Sequence, residues 1–237
     1  MENIVQRSSE WFEQRRGIFT GSEFHKLLSG GRRDMTEEEL KAYKKENPKG
    51  TRKTIDVEFG DTALSYIFEK AIEVVFGVNE DDNFDSFDTR RGKELEPYAI
   101  EQFRRNVEKD FISVEPCGFF TYGNNAGASP DSIVTDGNVK SVLECKCPRP
   151  TKFFKLVKEG KEAIDFEYQV QLQVEMLSTN TNKAYFFNFI IYNGQPMWHC
   201  IEIERDEEMI EIIKSKIDKA ALIRDMYVQE LNSKKQF

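Results

Sequence analysis

No apolar stretch in this sequence approaches the roughly 20 residues that a membrane-crossing helix needs, which argues against a helical membrane protein. Histidine is nearly absent: His25 and His199 stand far apart, with no zinc-like spacing. Cysteine is scarce too, and Cys117, Cys145, Cys147 and Cys200 fall in or near predicted strands among apolar neighbours. That placement favours reduced, buried thiols over a disulfide framework. A C-x-C pair on a strand with two distant partners is also an atypical iron–sulfur ligand run. Excess positive charge is missing as well: 34 Lys and Arg against 42 Asp and Glu leave a net charge of −8. A protein that merely coats nucleic acid shows a basic footprint instead. The opening residues MENIVQRSSEW lack the apolar core of a signal peptide, so the expected location is inside the cell.

What is present is an ordinary balance of 39% hydrophobic and 32% charged residues over 237 positions, a length that suits one large α/β domain spanning 1–237. Within it, the stretch Gly127 to Pro148 carries the sharpest chemical pattern. Two short strands flank Asp136-Gly137-Asn138, a strong hairpin signal. Asp131 follows a proline at the start of the first strand, and Glu144 and Lys146 lie two residues apart on the second. Residues i and i+2 of a strand share a face, so Glu144 and Lys146 point one way, and Leu143, Cys145 and Cys147 the other. The expectation is a half-buried strand with a polar working side. The hairpin brings Asp131 beside Glu144, and two hard anionic donors at a strand end suit Mg²⁺ or Mn²⁺. A neighbouring ammonium can orient or activate an attacking water. Alone, the same pattern also reads as a surface salt bridge on a hairpin, worth little.

The remaining elements supply context. Ser8 to Gly17 predicts a short helix capped by the serine, and Thr20-Gly21-Ser22-Glu23 reads as the N-cap of a second through Leu28. Arg15 beside such a helix start suits a phosphate; the alternative is an ordinary cap with a solvated Arg15-Arg16 pair. Residues 30–53 form a basic, loop-rich excursion with a capping box at Thr36 and Glu39, either a solvated insertion or an arm along a phosphate backbone. Apolar spacing predicts helices over Asp61 to Phe76, from about Gly92 to Val107 and from Asp165 to Leu177. The first of these is followed by an acidic patch, Glu80-Asp81-Asp82 with Asp85 and Asp88, read as a solvated loop. Glu94 and Glu96 fall in the first turn of the second, where acids favour the dipole. On the third, Tyr168, Gln171 and Glu175 share a face. Arg149 to Lys158 interleaves basic and aromatic residues, fitting either nucleic-acid contact or core. A second hairpin, Lys183 to Tyr192 and Met197 to Glu204, turns at Asn193-Gly194, and a closing helix runs from Asp206 to about Leu231.

The ordered blocks WFEQRRGIFTGSE, RGKELEPYAIEQF, SPDSIV, LECKCP, YQVQLQVEM and IERDE are spread across most of the chain. Together they resemble the phage lambda exonuclease family, also called YqaJ-type viral recombinases, within the PD-(D/E)xK nuclease superfamily. The resemblance implies a restriction-endonuclease-like α/β core with a central mixed sheet flanked by helices. It implies that Asp131, Glu144 and the backbone carbonyl of Cys145 bind Mg²⁺, with Mn²⁺ as a possible substitute. Lys146 is implied to position or activate water with help from Gln171, Glu96 to complete the acidic site, and Arg15 and Ser22 to hold a 5′-terminal phosphate. The implied activity is 5′-to-3′ digestion of double-stranded DNA ends to mononucleotides, leaving 3′ overhangs. A ring-shaped homotrimer and a single-strand annealing protein as partner follow by the same resemblance; the expected location is cytoplasmic, the host cell interior for a virus.

Three features depart from the family pattern. Ser132 stands where glycine is usual after Asp131. Thr89-Arg90-Arg91 occupies the place of a strand-separating wedge, leaving Phe84, Phe87 or no wedge at all as the alternatives. The 30–53 excursion is longer than the family requires. Two rival classes stay open: a superfamily nuclease that cuts internally or at structured ends, and a non-catalytic DNA-end-binding module.

Overall fold

The computed structural model describes residue 6 and residues 8–77, 87–107 and 112–234. Helix α1 (Ser9–Arg15) starts where its serine predicts, with the Trp11 N–H donating to Ser8 Oγ at 3.2 Å. Strand β1 (Phe19–Thr20) leads into a 3₁₀ helix, Gly21–Leu28, for which Thr20 supplies no side-chain cap. The Thr20 N–H instead donates to Tyr66 Oη at 2.9 Å. Arg15 is half-buried, whereas Arg16 stays exposed while its guanidinium donates to the carbonyls of Glu73 and Val74, both at 2.9 Å.

The basic excursion is more regular than its composition suggests. Strand β2 (Gly31–Asp34) pairs antiparallel with β3 (Thr54–Val57), and between them α2 (Glu37–Glu46) carries the complete Thr36–Glu39 capping box and buries none of its residues. Helix α3 (Asp61–Phe76) matches its predicted span, whereas α4 runs Phe87–Val107 and so begins before Gly92. The acidic residues Glu80, Asp81, Asp82 and Asp85 and the wedge candidate Phe84 lie outside the described residues, as do the side chains of Phe87 and Asp88.

Strands β4 (Ile112–Pro116), β5 (Phe120–Tyr122) and β6 (Ala126–Ala128) precede the central hairpin of β7 (Ser132–Asp136) and β8 (Val139–Lys146). Gly137 makes that turn with φ +57°, a conformation that favours glycine. The basic-aromatic segment is a helix, α5 (Pro150–Glu159), with Phe153 and Leu156 inward. Then come α6 (Phe166–Thr179), the hairpin of β9 (Lys183–Tyr192) and β10 (Gln195–Glu204), and α7 (Glu207–Lys234). Among the described residues no helix is long and apolar enough to cross a membrane.

The main sheet has the order β10-β9-β8-β7-β4 and is mixed: β8 and β9 are parallel and the other pairs antiparallel. A smaller sheet, β1-β6-β5, lies toward the N-terminal helices. Gly127 of β6 has no room for a side chain, because a Cβ there would fall 2.6 Å from the Phe120 carbonyl oxygen.

Helix α4 covers one face of the main sheet, setting Ala99 and Phe103 on Val134, Leu143, Cys145 and Phe187. The other face is covered by α5 and α6. Leu172 and Met176 pack on Val142, Leu156 and Phe186, while Val170, Val174 and Leu177 of the same helix join Phe24, Tyr66, Ile67 and Ile213 in a second core behind it. Helix α6 is therefore buried on both sides, and its polar side chains need partners within the protein. Gln173 has them, donating to the Glu204 carbonyl at 3.1 Å and accepting from the Asp206 N–H at 2.9 Å.

Candidate active site

The central hairpin converges on the open end of β7. Ser132 pairs with Leu143 as the first residue of β7, and Asp131 extends the ladder by donating its N–H to the Leu143 carbonyl at 3.1 Å. Its carboxylate then turns across the strand end, where Oδ2 accepts the Cys145 N–H at 2.7 Å. The serine in place of glycine leaves this geometry regular. Ser132 is fully buried, and its Oγ has no hydrogen-bond partner among the described residues.

One residue further along β8, Glu144 faces α6 rather than solvent. The polar side of the strand is not half-exposed, as alternation alone suggested: Glu144 is 4% exposed, because α6 covers it. Three groups meet at its Oε1 or beside it. The Lys146 ammonium lies 2.7 Å from Glu144 Oε1. The Gln171 amide donates from Nε2 to Glu144 Oε1 at 2.6 Å and to Glu175 Oε1 at 2.7 Å. Lys146 Nζ donates to Gln171 Oε1 at 3.3 Å, and it stands 4.7 Å from the centre of the Tyr168 ring, a cation–π contact. Helical spacing thus delivers Tyr168, Gln171 and Glu175 to one place, as i+3 and i+4 neighbours should be.

Negative charge is in excess here. Burial holds the Asp131 carboxyl well above the usual carboxylate range, and the charges of Glu144 and Glu96 push the same way against Lys146 and the Cys145 N–H. Glu175 is raised likewise, first by burial and then by Glu144, against the hydrogen bond from Gln171. Burial alone would depress the Lys146 ammonium, but the carboxylates of Glu144 and Asp131 outweigh it and hold Lys146 above the usual lysine range. Glu144 Oε2 and Glu175 Oε2 are buried without a hydrogen-bond partner among the described residues. An unpaired buried carboxylate oxygen is costly, and crowded carboxylates around one ammonium fit the binding of a hard divalent cation. Among the described residues no three His, Cys, Asp or Glu side chains form a cage for a metal. A cation shared by two carboxylates and a carbonyl would therefore keep several water or substrate oxygens, as Mg²⁺ commonly does.

Glu96, on α4, is near enough to Asp131 to raise its carboxyl. Arg15 is the last residue of α1, and Ser22 lies in the 3₁₀ helix that follows β1. The Arg15 guanidinium stacks 3.9 Å from the centre of the Trp11 ring and lies 5.7 Å from that of Phe119; burial pulls it below the usual arginine range. Ser22 is exposed in the first turn of the 3₁₀ helix. The link to the carboxylates is the Trp11 indole, which donates to Ser129 Oγ at 2.9 Å, two residues before Asp131.

Residue order assigns no role to Trp11, Ser129 or Glu175. All three lie in the motif blocks, and Glu175 shares the Gln171 face. Lys70 is a further buried charge that residue order leaves without a role, although a lysine on the inner face of α3 is a visible anomaly; it is 6% exposed and pairs with Glu73 at 2.7 Å. The four cysteines are free thiols. Burial pushes Cys117, Cys147 and Cys200 up to about 12, which favours the thiol over the thiolate.

Known structures share this architecture. An alkaline exonuclease from Laribacter hongkongensis superposes with a TM-score of 0.71 at 23% identity, over 96% of this chain and 97% of that one. The same enzyme in complex with dAMP gives a TM-score of 0.70, also at 23% identity and over the same shares. A phage related exonuclease from Haemophilus somnus 129PT gives 0.60 at 19% identity, over 90% and 96% of the two chains. No curated protein sequence matches. The profile of the YqaJ-like viral recombinase domain matches residues 10–182, and the chain belongs to that family.

Proposed function

We propose that the chain is a metal-dependent 5′-to-3′ exonuclease on linear double-stranded DNA, releasing mononucleotides and leaving 3′ overhangs for single-strand annealing recombination. The observation that carries this reading is the Asp131, Glu144 and Lys146 cluster at the end of one hairpin, with Arg15 stacked on Trp11, whose indole bonds Ser129 two residues before Asp131. The shared fold of an alkaline exonuclease and a phage related exonuclease supports nuclease chemistry by analogy.

Asp131, Glu144 and the Cys145 carbonyl would hold Mg²⁺, or Mn²⁺ in its place. When bound, such a cation lowers the pKa of water and neutralises charge developing on a phosphate. The chain's own groups do the rest. Lys146, held as an ammonium, orients the attacking water and stabilises the phosphate charge. Gln171 presents its Oε1 toward Lys146 and to the same water, and Glu96 adds to the acidic side. Arg15 and Ser22 hold the terminal 5′-phosphate, which sets the one phosphodiester that reaches the carboxylates. Water attacks that phosphorus, the bond to the 3′ oxygen breaks, and a nucleoside 5′-monophosphate leaves. The homotrimer and the annealing partner belong to the same proposal, and sedimentation of the purified protein tests the first.

The deciding experiment compares closed circular duplex with linear duplex bearing 5′-phosphate or 5′-hydroxyl ends, with and without Mg²⁺. Mg²⁺-dependent digestion of the linear forms, faster with 5′-phosphate, is expected. Cutting of the circle at an equal rate sinks the reading in favour of an endonuclease, and binding without digestion in favour of an end-binding module.

A further inference from the structure

We propose that Glu175 is a positioning residue that fixes the orientation of the Gln171 amide beside the reacting phosphate, an inference that rests on the exonuclease reading of this site. An amide side chain has two nearly isosteric orientations that exchange its donor and acceptor ends. Here Nε2 uses both of its hydrogens, on Glu144 Oε1 at 2.6 Å and Glu175 Oε1 at 2.7 Å, and Oε1 faces Lys146 Nζ at 3.3 Å. Reversing the amide would set its oxygen against two carboxylate oxygens and its NH₂ group against an ammonium.

The two carboxylates are not equivalent holders. Glu144 Oε1 is also bonded to Lys146 at 2.7 Å, and Glu144 is one of the two carboxylates offered to a cation. A cation that draws on Glu144 weakens its hold on Gln171. The hydrogen bond from Gln171 is the one described for the Glu175 side chain, so Glu175 keeps the amide in place while Glu144 serves elsewhere.

Burial separates this role from direct catalysis. Glu175 is 1% exposed and lies one helical turn beyond Gln171 on α6, set behind the Gln171 amide rather than in front of it. Its neighbours Val170, Leu172, Val174, Met176 and Leu177 are all buried and apolar. An apolar residue would fill this position at no desolvation cost, whereas a buried carboxyl group carries one. Its other oxygen, Oε2, is buried with no partner among the described residues. A carboxylate held under those conditions for a single hydrogen bond points to the group receiving that bond.

A double-substitution cycle with a spectroscopic arm tests this on the full chain. With Mg²⁺ and 5′-phosphorylated linear duplex, Glu175→Gln is expected to lower kcat about 10- to 100-fold while KM stays within about twofold. Because Glu175 acts through Gln171, adding Glu175→Gln to Gln171→Ala is expected to cost less than about twofold more. Glu175→Asp keeps the charge but shortens the reach, and is expected to lose activity with the same lack of additivity. In the second arm, the Gln171 side-chain amide protons are assigned in a ¹⁵N correlation spectrum by their disappearance in Gln171→Ala. They are expected downfield and slow to exchange in the wild type, and shifted upfield in Glu175→Gln.

That second arm needs no turnover. A wild type that digests no DNA defeats the exonuclease reading, while the amide signals still decide the role of Glu175. Unchanged kcat in Glu175→Gln, losses that multiply in the double variant, or an unmoved Gln171 amide would each overturn the proposal. If Glu175→Gln does not fold, Glu175→Asp carries the same three readouts; failure of both to fold makes Glu175 a structural residue and overturns the proposal too.

Discussion

The Lys146 ammonium lies 2.7 Å from Glu144 Oε1, the carboxylate two residues before it on β8. Both side chains project from one face of the strand under helix α6, and the Glu144 side chain is far less exposed than that of Lys146. A buried carboxylate left without its partner is strongly unfavourable, so the pair reports on function and stability together. With the ammonium held above the usual lysine range, Lys146 acts as a charge and hydrogen-bond donor in the cation-free protein. Lys146→Ala is expected to lower cleavage of linear duplex by about 10²-fold or more, with end binding retained in an anisotropy assay. Lys146→Arg is not expected to rescue it, because a planar guanidinium does not reproduce a compact point charge. Unchanged Mg²⁺-dependent digestion by Lys146→Ala removes Lys146 from the site.

A pH prediction follows from the raised carboxyls of Asp131 and Glu175. An acid whose folded value lies above its unfolded value, about 4, contributes stability that is full below the unfolded value and is lost as pH rises through the folded one. The cation-free protein therefore loses this share on going from acid to neutral pH. A divalent cation at Asp131 competes with the proton, so its stabilisation grows over the same interval. The rise in melting temperature on adding Mg²⁺ is expected to be larger at pH 8 than at pH 5. Acids whose values are lowered, such as Glu23 and Glu58, affect samples with and without Mg²⁺ alike and cancel in that difference. An equal or larger gain at pH 5 would falsify the assignment of the cation to Asp131.

Much of this site is legible in residue order because its chemistry is local. Asp131, Glu144 and Lys146 share one hairpin, and a turn with glycine at φ +57° determines their register. Helical spacing alone places Gln171 and Glu175 together. Residue order does not show that α6 lies over β8, because that packing depends on two separate cores closing on the two sides of α6. Hence alternation makes Glu144 half-exposed and leaves Glu175 without a role. Strands β1, β5 and β6 are only two or three residues long, too short for alternation to register. Helix α5 reads in sequence as a basic-aromatic segment, and its inward Phe153 and Leu156 distinguish it only once the sheet is in place.

Arg15 is expected to discriminate among DNA ends without taking part in bond breaking. Its guanidinium is fixed by stacking on Trp11 at 3.9 Å, and a charge-assisted interaction with a phosphate is roughly twice as strong as a neutral hydrogen bond. Arg15→Ala is expected to reduce the preference for 5′-phosphate over 5′-hydroxyl ends by about tenfold, equivalent to about 1.4 kcal/mol. The rate on 5′-hydroxyl duplex should change little. Trp11→Phe keeps the ring but removes the N–H that donates to Ser129 Oγ, and a smaller loss of the same preference is expected. Comparing rates on the two substrates checks both, and an equal fall on both substrates would place Arg15 in the general binding surface.

Residues 35–53, which carry α2 between β2 and β3, are expected to be removable with little cost to the fold. Helix α2 buries none of its residues, and the excursion's ion pairs, Arg32–Asp56, Arg33–Glu39 and Arg52–Asp56, are solvent-exposed and so worth little. Asp34 and Thr54 are opposite each other in the β2–β3 register, so an Asn-Gly turn can replace residues 35–53 and keep the hairpin closed. The shortened protein is expected to melt within a few degrees of the full chain, consistent with a change below about 1 kcal/mol. The deletion also removes Lys41, Lys44, Lys45, Lys49 and Lys53. If these lysines neutralise backbone phosphates, the slope of log binding constant against log salt should become shallower by about 0.9 for each phosphate no longer neutralised. An unchanged slope, with unchanged melting, identifies the excursion as a solvated insertion.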